Sequence, residues 1–476
     1  MSELEKDSQS SQAESKQSSC AIKNHSQDLN SQLLAKIFKL NIDCFDELFE
    51  WLSRDDLDTL GQTCKLMQSI VGEFFQQNFP AIEVRAEEDG LYVNDTRNVN
   101  CYRGAHKIHS FDKFIRKVSI CENSIGIEDG VRLFCYVGSN CTKSIKHIQF
   151  INVLLTQIEL EWVDEILKTV ETVSIEDCLI KRQFYEKFPA LCHNLKNLNV
   201  QDCRWNRNVL KRTGNEWLQR KYPKLEHLEW TQSSKKGRRI DEFKTFFELN
   251  PQIVSFSTSF HCFWGNRELI AQANIKLDDL TIEFDDWTWT PTNINATYSL
   301  LNSLHEQGIY KRLNLYARYY DADYFSKMAS IRPLYSLHLH EISSRYNLPH
   351  LPQLRELRIQ YINTNLDNLP NQLPNLERIY FKFAETKHFL PFIYRCPKLK
   401  EMKIDVVHDR AKFNCILDLP ALNRDRKKLD GARKITIFID EHVFLATKWA
   451  TERTEFSLIE IQRGYTREWN RNIEFH

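Results

Sequence analysis

Leu351-Pro352-Gln353-Leu354-Arg355-Glu356-Leu357-Arg358-Ile359-Gln360 is the stretch that decides how this chain folds. It reads L-x-x-L-x-L, with Leu354, Leu357 and Ile359 at the apolar positions. Leu357 and Ile359 are two apart, so in a strand they share one face while Arg358 and Gln360 share the other. Leu354 leads in and buries at the strand's entry. So short a strand cannot bury its apolar face alone and needs copies of itself alongside.

The copies are present on both sides. Downstream stand Leu376/Ile379/Phe381, Leu399/Met402/Ile404, Ala432/Ile435/Ile437 and Phe456/Ile459/Ile461. Upstream stand Leu334/Leu337/Leu339, Tyr310/Leu313/Leu315, Leu277/Leu280/Ile282, Ile253/Phe256/Thr258 and Leu225/Leu228/Trp230. Further back come Leu195/Leu198/Val200, Val170/Val173/Ile175, Ile145/Ile148/Phe150 and Ile115/Val118/Ile120, with Phe79/Ile82/Val84 an imperfect first copy. The spacing runs from roughly 20 to 33 residues and centres near the leucine-rich-repeat period. Between the copies lie helical spacings such as Phe243/Phe246/Phe247, Tyr298/Leu301/Leu304 and Phe389/Phe392/Ile393. Prolines at Tyr222-Pro223-Lys224-Leu225, Asn250-Pro251-Gln252-Ile253 and Cys396-Pro397-Lys398-Leu399 stop the helix and reset the chain as extended. The fold class is therefore α/β: a leucine-rich-repeat solenoid over 80–476, its parallel sheet on a concave face and its helices and loops on the convex one. The longer stretches 204–224, 231–242, 283–308 and 405–431 are expected as outward loops. Residues 86–112 are expected as an irregular loop with a strand at Leu91–Val93.

The totals agree with a repeat array. A chain of 476 residues exceeds what one ordinary core serves. Its 64 basic and 64 acidic residues leave no net charge, which counts against a nucleic-acid-gripping protein. Thirteen cysteines are scattered without a C-x-x-C pair. Cys178, Cys192, Cys203 and Cys396 fall where a repeat wants a small apolar residue, so they are expected to be reduced and buried, in a cytoplasmic and/or nuclear protein. No signal-peptide core or bilayer-length apolar run is seen, which implies no membrane partner. The matches Asn94-Asp95-Thr96 and Asn140-Cys141-Thr142 are then chance.

Residues 1–30 are Ser-, Gln-, Glu- and Lys-rich and read as a disordered tail. Beyond them, Phe45, Leu48, Phe49 and Leu52 fall at i, i+3, i+4 and i+7 on one helix face, with Asp43 expected at the N-cap. Ser53 breaks that helix and caps the next, with Asp56 at the capping-box offset. Leu57, Leu60 and Cys64 continue an apolar face, and Met67, Ile70, Val71, Phe74 and Phe75 mark a third helix.

This three-helix unit, 38–79, resembles an F-box. The residues that carry the resemblance are Leu40, Leu48-Phe49, Leu52, Ser53 with Asp56-Leu57, and Thr63-Cys64-Lys65; Asn41 stands where the family usually has Pro. An F-box followed by leucine-rich repeats is a known family architecture. The resemblance implies a substrate-recognition subunit of an SCF-type E3 ubiquitin ligase. Phe45, Leu48, Phe49, Leu52, Leu57, Leu60 and Cys64 would pack on the Skp-type adaptor, which carries the cullin, while the repeats hold an unidentified protein substrate. The alternative is a repeat scaffold that never joins a ligase, its three helices merely capping the first repeat.

Enzyme signatures are missing: no G-x-G-x-x-G, P-loop, H-E-x-x-H or G-x-S-x-G occurs, and no catalytic residue or cofactor is expected. His338 and His340 are two apart on a strand, a geometry for two metal ligands, but no third at a known spacing accompanies them, so they read as surface histidines. Lys235-Lys236-Gly237-Arg238-Arg239 and Arg424-Asp425-Arg426-Lys427-Lys428 read as solvated basic loops. What remains is a concave strip of aromatic, basic and histidine side chains, the types enriched at interfaces. It runs Asn314/Tyr316, His338/His340, Arg358/Gln360, Tyr380/Lys382, Lys403/Asp405 and Thr436/Phe438. Tyr316, His338, His340, Arg358, Gln360, Tyr380 and Lys382 are its candidate substrate-binding residues.

Overall fold

The computed structural model describes residues 40, 42–80, 82–87, 90–93, 106–108, 112–121, 144–155, 164–180, 191–205, 216–231, 240–273, 275–284, 291–318, 326–343, 348–407, 416–451 and 456–464. The expected tail at 1–30, the basic run 235–239 and both N-x-S/T matches lie outside these residues. The chain divides into two compact units, Met1–Leu52 and Ser53–His476.

The described part of the first unit is the helix Ile42–Phe49. Phe45 and Phe49, one turn apart, have ring centroids 5.6 Å from each other and are both buried. Asp43 is not the N-cap. The helix already begins at Ile42, so Asp43 sits in its first turn, where a carboxylate still complements the helix dipole.

The second unit opens with the helix Arg54–Gly61, started by the expected capping box. Ser53 Oγ accepts from the Asp56 N–H at 3.1 Å, and the Ser53 N–H donates to Asp56 Oδ2 at 3.2 Å. The helix Lys65–Asn78 comes next, and Cys64 caps it rather than extending an apolar face: its sulfur accepts from the Met67 N–H at 3.4 Å. Gly72 on this helix faces the Phe114 ring so closely that any Cβ would overlap it.

From Glu83–Glu87 onward the repeats form one 17-stranded sheet, with its apolar rows stacked in register. Val118, Ile148, Val173, Leu198, Leu228, Phe256, Leu280 and Leu313 stand opposite one another on consecutive parallel strands. Leu337, Leu357, Ile379, Met402, Ile437 and Ile461 continue the row. All but Ile461 are buried, so the L-x-x-L-x-L anchors are the core. The pattern slips by two residues in two places. A register shift at Leu313/Asn314 sets Leu315 opposite Leu337, and Met402 pairs with Ile437 instead of Ile435. The strand expected at Leu91–Val93 is present as Gly90–Val93, and it pairs antiparallel with both Glu83–Glu87 and His106–Ile108.

The predicted helix faces are buried on the helices Glu242–Leu249, Pro291–Glu306 and Thr386–Arg395. Asn250 and Cys396 are C-caps directly before Pro251 and Pro397. Two expected loops contain helices instead: Pro291–Glu306 within 283–308 and Leu419–Arg426 within 405–431. Proline in the first turn suits both, because the first N–H groups of a helix have no intrahelical partner to lose. In the basic run 424–428, Arg424, Lys427 and Lys428 are exposed as expected, but the run begins inside a helix and Arg426 departs from the expectation. Arg426 is fully buried, and its guanidinium donates to the carbonyls of Ile393, Cys396, Pro397, Leu399 and Arg433 at 2.8–3.3 Å. Burial lowers its pKa to about 10.

Three of the earlier repeats end differently from the rest. Asn152, Asp177 and Asp202 take left-handed φ values of 54°, 49° and 47°, which Asn and Asp tolerate better than other non-glycine residues. The chain then turns into Leu154–Leu155, Leu179–Ile180 and Arg204–Trp205, a second, three-stranded parallel sheet. Cys178 and Cys203 come just after the turn residues and are buried, each S–H donating to a strand carbonyl of the preceding repeat, Phe150 at 3.5 Å and Ile175 at 3.3 Å. Cys192 and Cys396 are buried too, and burial pushes the thiols of Cys178, Cys192 and Cys396 up to about 12.

Candidate functional site

The helical segment splits the seven expected adaptor contacts into two groups. Phe45, Phe49 and Leu57 are buried within the chain, at 2%, 0% and 0% exposure, and so are not available to a partner. An amphipathic helix spends its strongest apolar positions on its own core, and sequence spacing cannot separate that use from a docking use. Leu48 is 40% exposed, and Leu52, Leu60 and Cys64 are half-buried. Leu66, not anticipated from the sequence, is 53% exposed on the helix Lys65–Asn78.

The start of the helix Arg54–Gly61 is held by the last repeat. The Arg54 N–H donates to Glu441 Oε1 at 3.1 Å, and Arg463 donates to the same oxygen at 2.7 Å. The Arg463 guanidinium lies over two rings, Phe79 at 5.3 Å and Phe444 at 5.2 Å. Burial pushes the Glu441 carboxyl above its ordinary range, although Arg463 and Arg54 work against the shift. No spacing rule links residues so far apart in sequence, and none of these contacts was foreseen.

The strip of candidate substrate residues is real as a row and different in exposure. Tyr316, His338, Arg358, Tyr380, Lys403 and Phe438 stand opposite one another on six adjacent strands. Because of the two slips, Asn314 pairs with Ser336 and Thr436 with Glu401. Tyr316, His338, Arg358 and Gln360 are buried, at 3%, 2%, 5% and 3% exposure, which corrects the expectation of an open face. Strands in a sheet lie under 5 Å apart, so long in-register side chains cover one another from both sides. The Tyr316 and His338 rings meet edge to face at 4.9 Å. The Arg358 guanidinium lies 5.9 Å from the Tyr380 ring centre, and the Lys403 ammonium 5.7 Å from it. The Tyr380 hydroxyl donates to Asp405, which also pairs with Lys403 at 3.4 Å.

One row earlier on the same face, opposite Ser336 and Arg378, sits Glu356, fully buried, its carboxylate shared by Arg358 Nε at 3.0 Å and Arg378 Nη2 at 2.9 Å. His338 is therefore not a surface histidine. Burial, with Arg358 and His340 adding repulsion, holds its pKa well below the ordinary imidazole value, so the ring is neutral at pH 7. Among the described residues no group of three metal-ligating side chains exists.

His340, Tyr380 and Lys382 are half-buried and keep some accessible surface. Next to them, Tyr361 and Phe383 complete an outer row at the strand ends. Ile342 and Ala384, two residues beyond His340 and Lys382 on their strands, are buried. Strict alternation assigns Tyr361 and Phe383 to the core, and spacing does not mark where along a strand the burial of that face ends. No helix among the described residues is long and apolar enough to cross a membrane. No protein-family model matches the chain, and no curated protein matches it either.

Proposed function

We propose that this chain is the substrate-recognition subunit of an SCF-type E3 ubiquitin ligase, docking a Skp-type adaptor through its N-terminal helices and a protein substrate through its strands. The observation that carries this reading is the helical series itself. Ile42–Phe49, Arg54–Gly61 and Lys65–Asn78 succeed one another in the order that the F-box resemblance requires, with a capping box at its Ser-x-x-Asp step. Leu48 supports it by leaving apolar surface open where the resemblance places adaptor contacts. The chain makes no covalent bond in this role; it holds substrate near the ligase's catalytic partner and raises its effective concentration. Such work belongs in the cytoplasm or nucleus.

A repeat scaffold outside any ligase is the rival, favoured by the burial of Leu57 within the second unit. Size-exclusion chromatography of the full chain with purified adaptor and cullin separates the two. Co-elution of all three supports the ligase subunit. A chain that elutes apart from both supports the scaffold.

A further inference from the structure

Among the described residues, six large apolar side chains are left open to solvent: Leu40, Leu48, Leu66, Tyr361, Ile416 and Trp449. Tyr361 is the one carried by a strand. Its ring stacks on Phe383 at 5.4 Å between centroids and meets His340 edge to face at 5.1 Å. Three consecutive strands thus lay three rings side by side at the sheet's outer row.

The cations around these rings outnumber the acids. The Lys382 ammonium lies 5.9 Å from the Phe383 ring centre. His340 is held below its ordinary pKa by burial first; Arg318 and Lys382 add to that, while a hydrogen bond with Gln360 and the Glu341 carboxylate oppose it, so two cations and one carboxylate act on the ladder. One carboxylate shares this edge: Glu341 stands opposite Tyr361 on the neighbouring strand and accepts from the Asn363 amide at 2.7 Å, so Lys382 and Arg318 together leave an excess of one positive charge. The inner row cannot compete for a partner, because Tyr316, His338 and Arg358 are buried against one another and against Tyr380. An open aromatic platform flanked by lysine and arginine is complementary to an apolar side chain set among carboxylates.

We propose that His340, Tyr361, Lys382 and Phe383 form the docking surface for a short acidic segment of a protein substrate. One aromatic or branched apolar side chain of that segment lies on Tyr361 and Phe383, and its neighbouring carboxylates sit at Lys382 and Arg318. The inference rests on reading the strands as the substrate-holding part, and it narrows the substrate to proteins with such a segment.

Fluorescence anisotropy of a labelled peptide with a central tyrosine flanked by glutamates, titrated with the full chain, tests it. The expected result is saturable binding that weakens about tenfold or more in Tyr361→Ala and in Lys382→Glu. A second peptide with lysines in place of the glutamates should bind Lys382→Glu more tightly than the unaltered chain, a gain that misfolding cannot produce. Equal binding of the two peptides by the unaltered chain, or an affinity unmoved by both substitutions, overturns the proposal. So does self-association of the chain that Tyr361→Ala abolishes while the peptide never binds, since the surface would then take a second copy. Peptide binding without adaptor binding leaves the docking surface standing and removes the ligase; adaptor binding without peptide binding does the reverse.

Discussion

The strands between His147 and Gln201 and those between Leu334 and Val407 are built on the same apolar anchors and differ in how far each strand runs past them. The earlier strands of the large sheet are five residues long and stop at an Asn or Asp in the left-handed region. Their outer side chains are short and mostly neutral, and they bond across strands: Asn199 to Ser174 at 3.1 Å, Asn197 to Thr172 at 2.8 Å, Gln149 to Glu176 at 2.9 Å. The later strands run to ten, eight, seven and seven residues. Their outer side chains are aromatic rings and paired charges, stacked along the buried row through Arg358 and Tyr380. The same apolar repeat thus supports two kinds of polar face. The hydrogen-bonded amide face is closed on itself, while the longer strands have room for a second, partly open row beyond the buried one.

Substitutions on the two faces should separate them. The largest effect is expected at Glu356→Ala, which leaves Arg358 buried without its carboxylate and should cost about 3–5 kcal/mol. Hydrogen exchange would localise the loss, with faster exchange in the strands Leu334–Ser343 to Arg378–Ala384 and none in Thr172–Gln201. A uniform rise would mean that the two regions unfold as one. A smaller effect comes from pH. The unfolded state protonates His338 near pH 6.5, while the folded state resists protonation, so the contribution of this group is intact above that value. As pH falls below 6.5 the stability of the later strands should drop by up to about 1.4 kcal/mol per unit. Thermal unfolding followed from pH 8 to pH 5 would show the drop, and His338→Phe should flatten it. Smallest is Asn199→Ala on the amide face, expected to cost about 1 kcal/mol in denaturant titration because its neutral bond to Ser174 is all that is lost. A cost matching that of Glu356→Ala would erase the contrast.

The sheet was legible in the sequence because its signal is local. Leu357 and Ile359 alternate with Arg358, and the same spacing recurs often enough to mark one strand after another. What was hidden depends on neighbours that spacing does not name. Arg358 reads as a solvent-facing residue until Tyr380 and His338 are set on either side of it. Arg426 reads as one of a basic run until the helix Leu419–Arg426 turns it toward the carbonyls of an adjacent repeat. The two-residue slips at Leu313/Asn314 and Met402/Ile437 have no composition signature, yet they decide which side chains form the row. In the helices, spacing found the apolar faces, but it did not tell Leu48, left open, from Phe45 and Phe49, used inside. The contact of Glu441 with Arg54 joins the two ends of the second unit, which no local pattern encodes.

Isothermal titration of the full chain with the purified Skp-type adaptor, repeated with Leu48→Asp, tests the central claim most directly. Leu48 is exposed, so the substitution should leave thermal unfolding unchanged. Losing its burial on the adaptor removes about 1.5–3 kcal/mol, or roughly 10- to 150-fold in affinity. Saturable binding by the unaltered chain with a loss of that size in the variant is the predicted result. An unaltered chain that binds no adaptor, or a variant that binds it equally well, would contradict the account.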